Sequence, residues 1–136
     1  TRRPSNNKPP TRSVKHMATL SSHTLDSVSG LSATGVRIQL FRLLGECDKE
    51  QVFDTRTNEE GRLSETFESK GSSVEDYELV FHSGEYMSRK NLQEENPVMD
   101  SVVIRLKVRD FERRYHIPVL IAPHNYTVWW SGKPEA

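Results

Sequence analysis

Three polar residues in this chain are of the types that, brought together, hydrolyse an amide-like bond without a metal: His23, Arg62 and His116. An imidazole titrates near neutrality, so one can take a proton from water while the other relays or donates one. A guanidinium offers a planar fork of donors to a carbonyl oxygen and can hold the negative charge that grows there under attack. The three are far apart in sequence, so the chemistry depends on three separate elements converging. Each residue also has a plainer reading. His23 can be an ordinary strand residue, Arg62 a surface charge, and His116 a half-exposed strand histidine making one hydrogen bond.

The segment from Tyr115 to Ile121 alternates strictly. Tyr115, Ile117, Val119 and Ile121 fall on one strand face, and His116, Pro118 and Leu120 on the other. The first set predicts core. The second sets the imidazole on a semi-apolar face, beside a proline that cannot donate to a sheet ladder and so marks an edge or a bulge. Arg62 directly follows Gly61, where the turn Asn58-Glu59-Glu60-Gly61 hands over to a short strand. His23 lies within a strand over 18–26, on the parity of Leu25.

The remaining signals fill in a β protein. Residues 36–44 alternate until Phe41, which predicts a bulge or a buried far end. Strands follow over 51–57 and 77–82. Ser83 is placed to cap a short helix over residues 85–93, which Pro97 stops from continuing. A further strand spans 102–109, a charged turn 110–114, and a last strand 126–131. About eight short strands with turn signals every eight to twelve residues predict an all-β, two-sheet β-sandwich with Greek-key-like connections and one helix. The expected domain covers 18–132. Residues 1–17, with three prolines and little apolar content, are expected to be a disordered tail, and 133–136 a short extension.

The chain has 136 residues and no net formal charge, with 19 basic and 19 acidic residues. Residues 1–25 hold five of the basic groups and no acid, which leaves 14 basic against 19 acidic groups, a net of −5, over 26–136. A mildly acidic domain argues against nucleic acid as its ligand. The single cysteine, Cys47, cannot close an intramolecular disulfide, which favours a reducing compartment. No Cys or His pair has metal-ligand spacing, and no apolar run approaches a membrane span. The cytoplasm is the expected location, with no membrane partner. The C-terminal Lys133-Pro134-Glu135-Ala136 is not a Ser-Lys-Leu type of peroxisomal address.

Several motifs, in order and correctly spaced, resemble the transthyretin-related family. They are Ser22-His23-Thr24-Leu25-Asp26 followed by Gly30, Thr57-Asn58-Glu59-Glu60-Gly61-Arg62, Tyr77-Glu78-Leu79-Val80-Phe81, Val102-Val103-Ile104-Arg105, and Tyr115-His116-Ile117-Pro118-Val119-Leu120. The resemblance runs from about Ala18 to Ser131. It implies a transthyretin-like sandwich that assembles as a homotetramer, a dimer of dimers, with ligand sites in a channel at the dimer–dimer interface. The family includes transthyretin, a thyroid-hormone carrier, and 5-hydroxyisourate hydrolases, which act in urate degradation and occur in peroxisomes among other places. His23, Arg62 and His116 match the hydrolase branch, which implies that they are catalytic. It further implies hydrolysis of the small molecule 5-hydroxyisourate without cofactor or metal, with Pro118, Leu120, Thr127, Trp129 and Ser131 as substrate-binding residues.

The ending departs from that branch. Hydrolases of the family finish in Tyr-Arg-Gly-Ser, whereas here Trp129, Trp130, Ser131 and Gly132 stand in line and the chain runs on. Trp130 puts an aromatic where the branch has a cation, and the serine hydroxyl is displaced by one residue, which on a strand changes face unless a bulge intervenes. This departure supports the alternative expectation, a non-catalytic small-molecule carrier or a hydrolase relative without activity.

Overall fold

The computed structural model describes residues 16–132. Residues 1–15 of the expected tail and the extension 133–136 lie outside them. Two sheets face each other, with one helix at the side. The first sheet is built on β1 (Met17–Asp26), which starts one residue before the expected strand. Over most of its length β1 pairs antiparallel with β5 (Arg62–Glu68) and parallel with β8 (Arg114–His116). Near its end it pairs with β2 (Leu31–Ser32) and, in parallel, with β9 (Val119–Ala122), which carries β10 (Asn125–Val128) on its far side. The second sheet runs in the order β4 (Lys49–Arg56), β3 (Arg37–Leu43), β6 (Glu75–Phe81) and β7 (Val102–Val108).

Alternation decides what each strand buries. From β1, Ala18 and Leu20 turn inward; from β5, Leu63 and Phe67; from β9, Val119 and Ile121. They meet Ile38 and Leu40 of β3, Tyr77, Leu79 and Phe81 of β6, and Val102 and Val108 of β7. Phe67 meets the Tyr77 ring edge-on, with centroids 5.1 Å apart, so the two sheets interlock through an aromatic pair as well as by area. The expected irregularity near Phe41 is present, as a register shift between Leu40 and Phe41 against β4.

The last strand, expected over 126–131, stops at Val128, and β2 is an addition to the expected strands; two further elements differ more from the sequence reading. The single strand expected over 115–121 is split into β8 and β9, with Ile117 and Pro118 between them. Pro118 has no N–H for the ladder, yet its carbonyl accepts from the Trp129 N–H at 3.3 Å, so the gap is bridged from the other side. The helix, α1 (Ser83–Arg89), begins and ends earlier than residues 85–93. Ser83 is its first residue, not its cap. Its end is a Schellman turn: Asn91 takes φ 58°, its N–H donates to the Ser88 carbonyl at 3.1 Å, and Leu92 N–H donates to Met87 at 2.8 Å. Asn91 therefore ends the helix well before Pro97 is reached. Tyr86 of α1 docks it by donating its hydroxyl to buried Asp26 at 2.8 Å; burial and that carboxylate push the Tyr86 phenol up to about 12.

A buried polar cluster ties the sheets together at one end. Arg42 of β3 donates to the Tyr77 hydroxyl (3.1 Å), to Glu50 (2.8 Å) and to the carbonyl of Glu68 on β5 (2.6 Å). Tyr77 in turn donates to Glu75 at 2.7 Å. Burial alone would raise the Glu75 carboxyl, but the Tyr77 hydroxyl, the N–H groups of Lys70 and Ser72 and the charge of Arg42 hold it below its ordinary value.

Candidate active site

The outer face of the first sheet collects the chemistry. Because inward residues of β1 are Ala18, Leu20, Ser22, Thr24 and Asp26, the outward set includes Ser21, His23 and Leu25. Antiparallel pairing sets His23 opposite Arg62 and Ser21 opposite Ser64, while parallel pairing on the other side sets Ser21 beside His116. Three strands thus bring His23, Arg62 and His116 onto one face, from positions far apart in the chain. A depression of about 330 Å³ opens there, lined by Ser21, Ser22, Asn58, Arg62, Leu63, Ser64, Arg114 and His116.

The turn before Arg62 is fixed locally. Asn58 Oδ1 accepts from the N–H groups of Glu60 (2.9 Å) and Arg62 (3.0 Å), an Asx turn that aims the start of β5. Gly61 sits at φ 74°, and a Cβ there would lie 2.5 Å from the Thr24 carbonyl oxygen of β1. Its own carbonyl accepts from Thr24 N–H at 2.8 Å, so the turn is pinned to β1 where His23 stands. The Arg62 guanidinium makes no hydrogen bond or ion pair among the described residues, and its donors remain available to the depression.

His116 is half-buried, with Nδ1 2.8 Å from Ser21 Oγ. Burial first, and then the neighbouring Arg62, His23 and Arg114, push its imidazole below the ordinary histidine value. The shift favours the basic form of the ring, the form that can accept a proton. The arrangement is a base, a second imidazole and a guanidinium unpartnered among the described residues, on one open face, which suits water-mediated attack on a carbonyl.

A profile of the HIUase/Transthyretin family matches residues 20–130. The chain belongs to that family. A 5-hydroxyisourate hydrolase of Pseudomonas aeruginosa is 32% identical over 115 residues, which cover 83% of this chain and 90% of that protein. The solved structure of Klebsiella pneumoniae 5-hydroxyisourate hydrolase matches with TM-score 0.66 and 28% identity, covering 83% of this chain and 98% of that one. A crystal structure of (S)-allantoin synthase matches with TM-score 0.71 and 28% identity over 85% of this chain, which spans only 44% of the synthase.

Within this family fold, the other residues expected at the site are strung from Pro118 along β9, β10 and the segment that follows, on the strand parity of His116. Leu120 pairs with Leu25 on one side and Thr127 on the other, farther along the same sheet. Pro118 is buried. Trp129 and Trp130 border a second groove of about 470 Å³, between β7 and the C-terminal segment, with Tyr115 and Ile117. Trp130 lies 6.2 Å from the Tyr115 ring, and the Arg113 guanidinium stands over it at 5.2 Å. Ser131 exchanges both backbone hydrogen bonds with His116, at 2.9 and 2.8 Å. Residues paired in that way share a sheet face, so Ser131 is on the side of His116 without any bulge.

Sequence reasoning missed Ser21, Ser64 and Arg114. The signal was present in parity alone: Ser21 is two residues before His23, and Arg114 two before His116. What the sequence lacked was the pairing partner that turns same-face residues into neighbours. Among the described residues no group of three His, Cys, Asp or Glu side chains is placed to hold a metal ion.

Proposed function

We propose that this chain hydrolyses 5-hydroxyisourate, as a homotetramer, using His23, Arg62 and His116. The observation that carries the reading is the depression on the first sheet, lined by a partly desolvated His116 and by Arg62, which has no hydrogen-bond or ion-pair partner among the described residues, with His23 opposite Arg62 in the strand pair beside it. His116, assisted by His23, removes a proton from a water molecule as its oxygen attacks the lactam carbonyl. Arg62 holds the oxyanion that forms. When the ring C–N bond breaks, the nitrogen takes that proton back from an imidazole, and the carboxylic acid formed at the carbonyl carbon gives the second proton of the water to solvent, leaving a carboxylate on the opened ring. The names of the relatives support the substrate, and the open outer face of Leu25, Leu120 and Thr127 supports a second dimer as its cover.

The carrier reading rests on the ending. Its aromatic pair borders the second groove of this subunit and not the histidine depression, which weakens the argument that two tryptophans narrow the site.

Urate and urate oxidase generate the substrate in a cuvette, where its decay is followed optically. Acceleration over spontaneous decay by the full chain is expected. Decay at the spontaneous rate, with the protein folded and tetrameric, overturns the hydrolase reading in favour of a carrier.

A further inference from the structure

Ser21 is almost fully buried, at 6% exposure, yet its hydroxyl faces outward from β1 onto the ring of His116. The contact is built by register: Ser21 and His116 are direct partners in the parallel pair of β1 and β8, and the next N–H along, Ile117, donates to the Ser21 carbonyl at 2.8 Å. On the other side, both backbone groups of His116 are taken by Ser131. The histidine backbone is thus clamped between two strands, and among the described residues the ring has one side-chain hydrogen bond, at Nδ1. The charged and titratable groups that bear on it are Arg62 from β5, His23 from β1 and Arg114 from β8. All three favour the neutral ring, and no carboxylate is among them.

We propose that Ser21 is a positioning residue that accepts a hydrogen bond from Nδ1–H of His116, fixing the tautomer in which Nε2 carries the lone pair and meets water. The inference deepens the hydrolase reading and rests on it for its kinetic consequences, though not for the tautomer itself. The chemistry explains why a hydroxyl stands here. A neutral acceptor orients the ring through both halves of the cycle, since Nδ1–H donates to Oγ whether Nε2 is bare or has just taken the proton of water. It adds no negative charge, so the proton on Nε2 remains easy to pass to the departing nitrogen. A carboxylate in the same place would hold the imidazolium and slow that return.

The test uses the full chain labelled with ¹⁵N-histidine, with the ring nitrogens of His116 assigned by comparison with His116→Gln. Above the titration of the ring, the wild type is expected to show Nδ1 protonated and Nε2 bare. An Nε2–H tautomer in the wild type overturns the proposal without recourse to any variant. Ser21→Ala should shift the population towards Nε2–H and lower kcat roughly tenfold, the net contribution of one hydrogen bond, with KM little changed. Ser21→Thr should restore both. Ser21→Asp should move the acid limb of the pH profile upward. Unaltered tautomer and pH profile in Ser21→Ala would refute the assignment. Inactivity of the wild type towards 5-hydroxyisourate would instead refute the function and leave the tautomer measurement to judge Ser21 by itself.

Discussion

His116 carries the clearest residue-scale consequence. Its imidazole is pushed below the ordinary value by burial and by the cations around it, so the basic form persists to lower pH than in a free histidine. In the free enzyme, kcat/KM is therefore expected to fall on the acid side with a midpoint below ~6.5, the unperturbed histidine value. A pH–rate profile checks this, and a midpoint above that value would mean that another group is the base. His116→Ala should lower kcat by ~10²–10⁴, the usual range for a general base, while light scattering still reports an unchanged assembly. Trp130, which the sequence reading sets where the resembled hydrolases have a cation, illustrates a residue held by its local surroundings. Its ring is packed between Tyr115 and the Arg113 guanidinium. Trp130→Arg would replace a cation–π contact with two neighbouring guanidiniums, at a cost of about 1 kcal/mol in a denaturation curve. An arginine at position 130 is thus expected to destabilise the subunit unless Arg113 is changed with it.

At the scale of elements, the turn that delivers Arg62 is the sensitive piece. Gly61 holds a left-handed conformation with the Thr24 carbonyl where a Cβ would go. Gly61→Ala should cost at least ~1 kcal/mol from the backbone alone, and more because β1 must move aside. The same movement displaces both His23 and Arg62, so turnover should fall further than stability loss explains. Urea denaturation and initial rates on one preparation separate the two effects. Asn91, which does not line the depression, offers a control. It ends α1 at φ 58°, a conformation that costs little for Asn and more for a β-branched residue. Asn91→Val is expected to destabilise by about 1 kcal/mol and leave kcat and KM untouched.

For the whole molecule, the two sheets are joined by aromatic packing and by one buried ion cluster. Arg42 of β3 reaches the carbonyl of Glu68 on β5, and Tyr77 links it to Glu75. Both Arg42 and Glu75 are buried, with side chains 8% and 5% exposed. Arg42→Ala removes the cation beside Glu75, which keeps its Tyr77, Lys70 and Ser72 donors, and breaks the Arg42 hydrogen bonds to Tyr77 and Glu50; it should cost ~1–3 kcal/mol, read as a drop in the midpoint of thermal or urea unfolding. The site lies away from this cluster, on the outer face of the other sheet, so activity per folded molecule should hold at low temperature. Assembly matters differently. The depression is open on one side in the single subunit, and a tetramer is the expected state by light scattering at micromolar concentration. A monomer would leave the candidate site without the wall that the proposed function needs.

The alternation of apolar residues determined the strands and which face each buries, because a side-chain period of two follows from backbone geometry before any partner is known. It determined that His116 stands opposite the core residues Ile117 and Val119, and that Gly61 makes a turn that hands over to Arg62. The order and spacing of the motifs determined the family. Strand ends were less legible, since Pro118 interrupts a ladder only once the ladder exists, and Asn91 closes a helix through two hydrogen bonds that the sequence does not display. Tertiary structure alone decided the neighbours. That β1 lies between β5 and β8 in one register makes His23 face Arg62 and Ser21 face His116. It also sent Trp129 and Trp130 to a separate groove while keeping Ser131 beside the histidine. Register is a property of two strands together, fixed by the core they share, and neither strand encodes it alone.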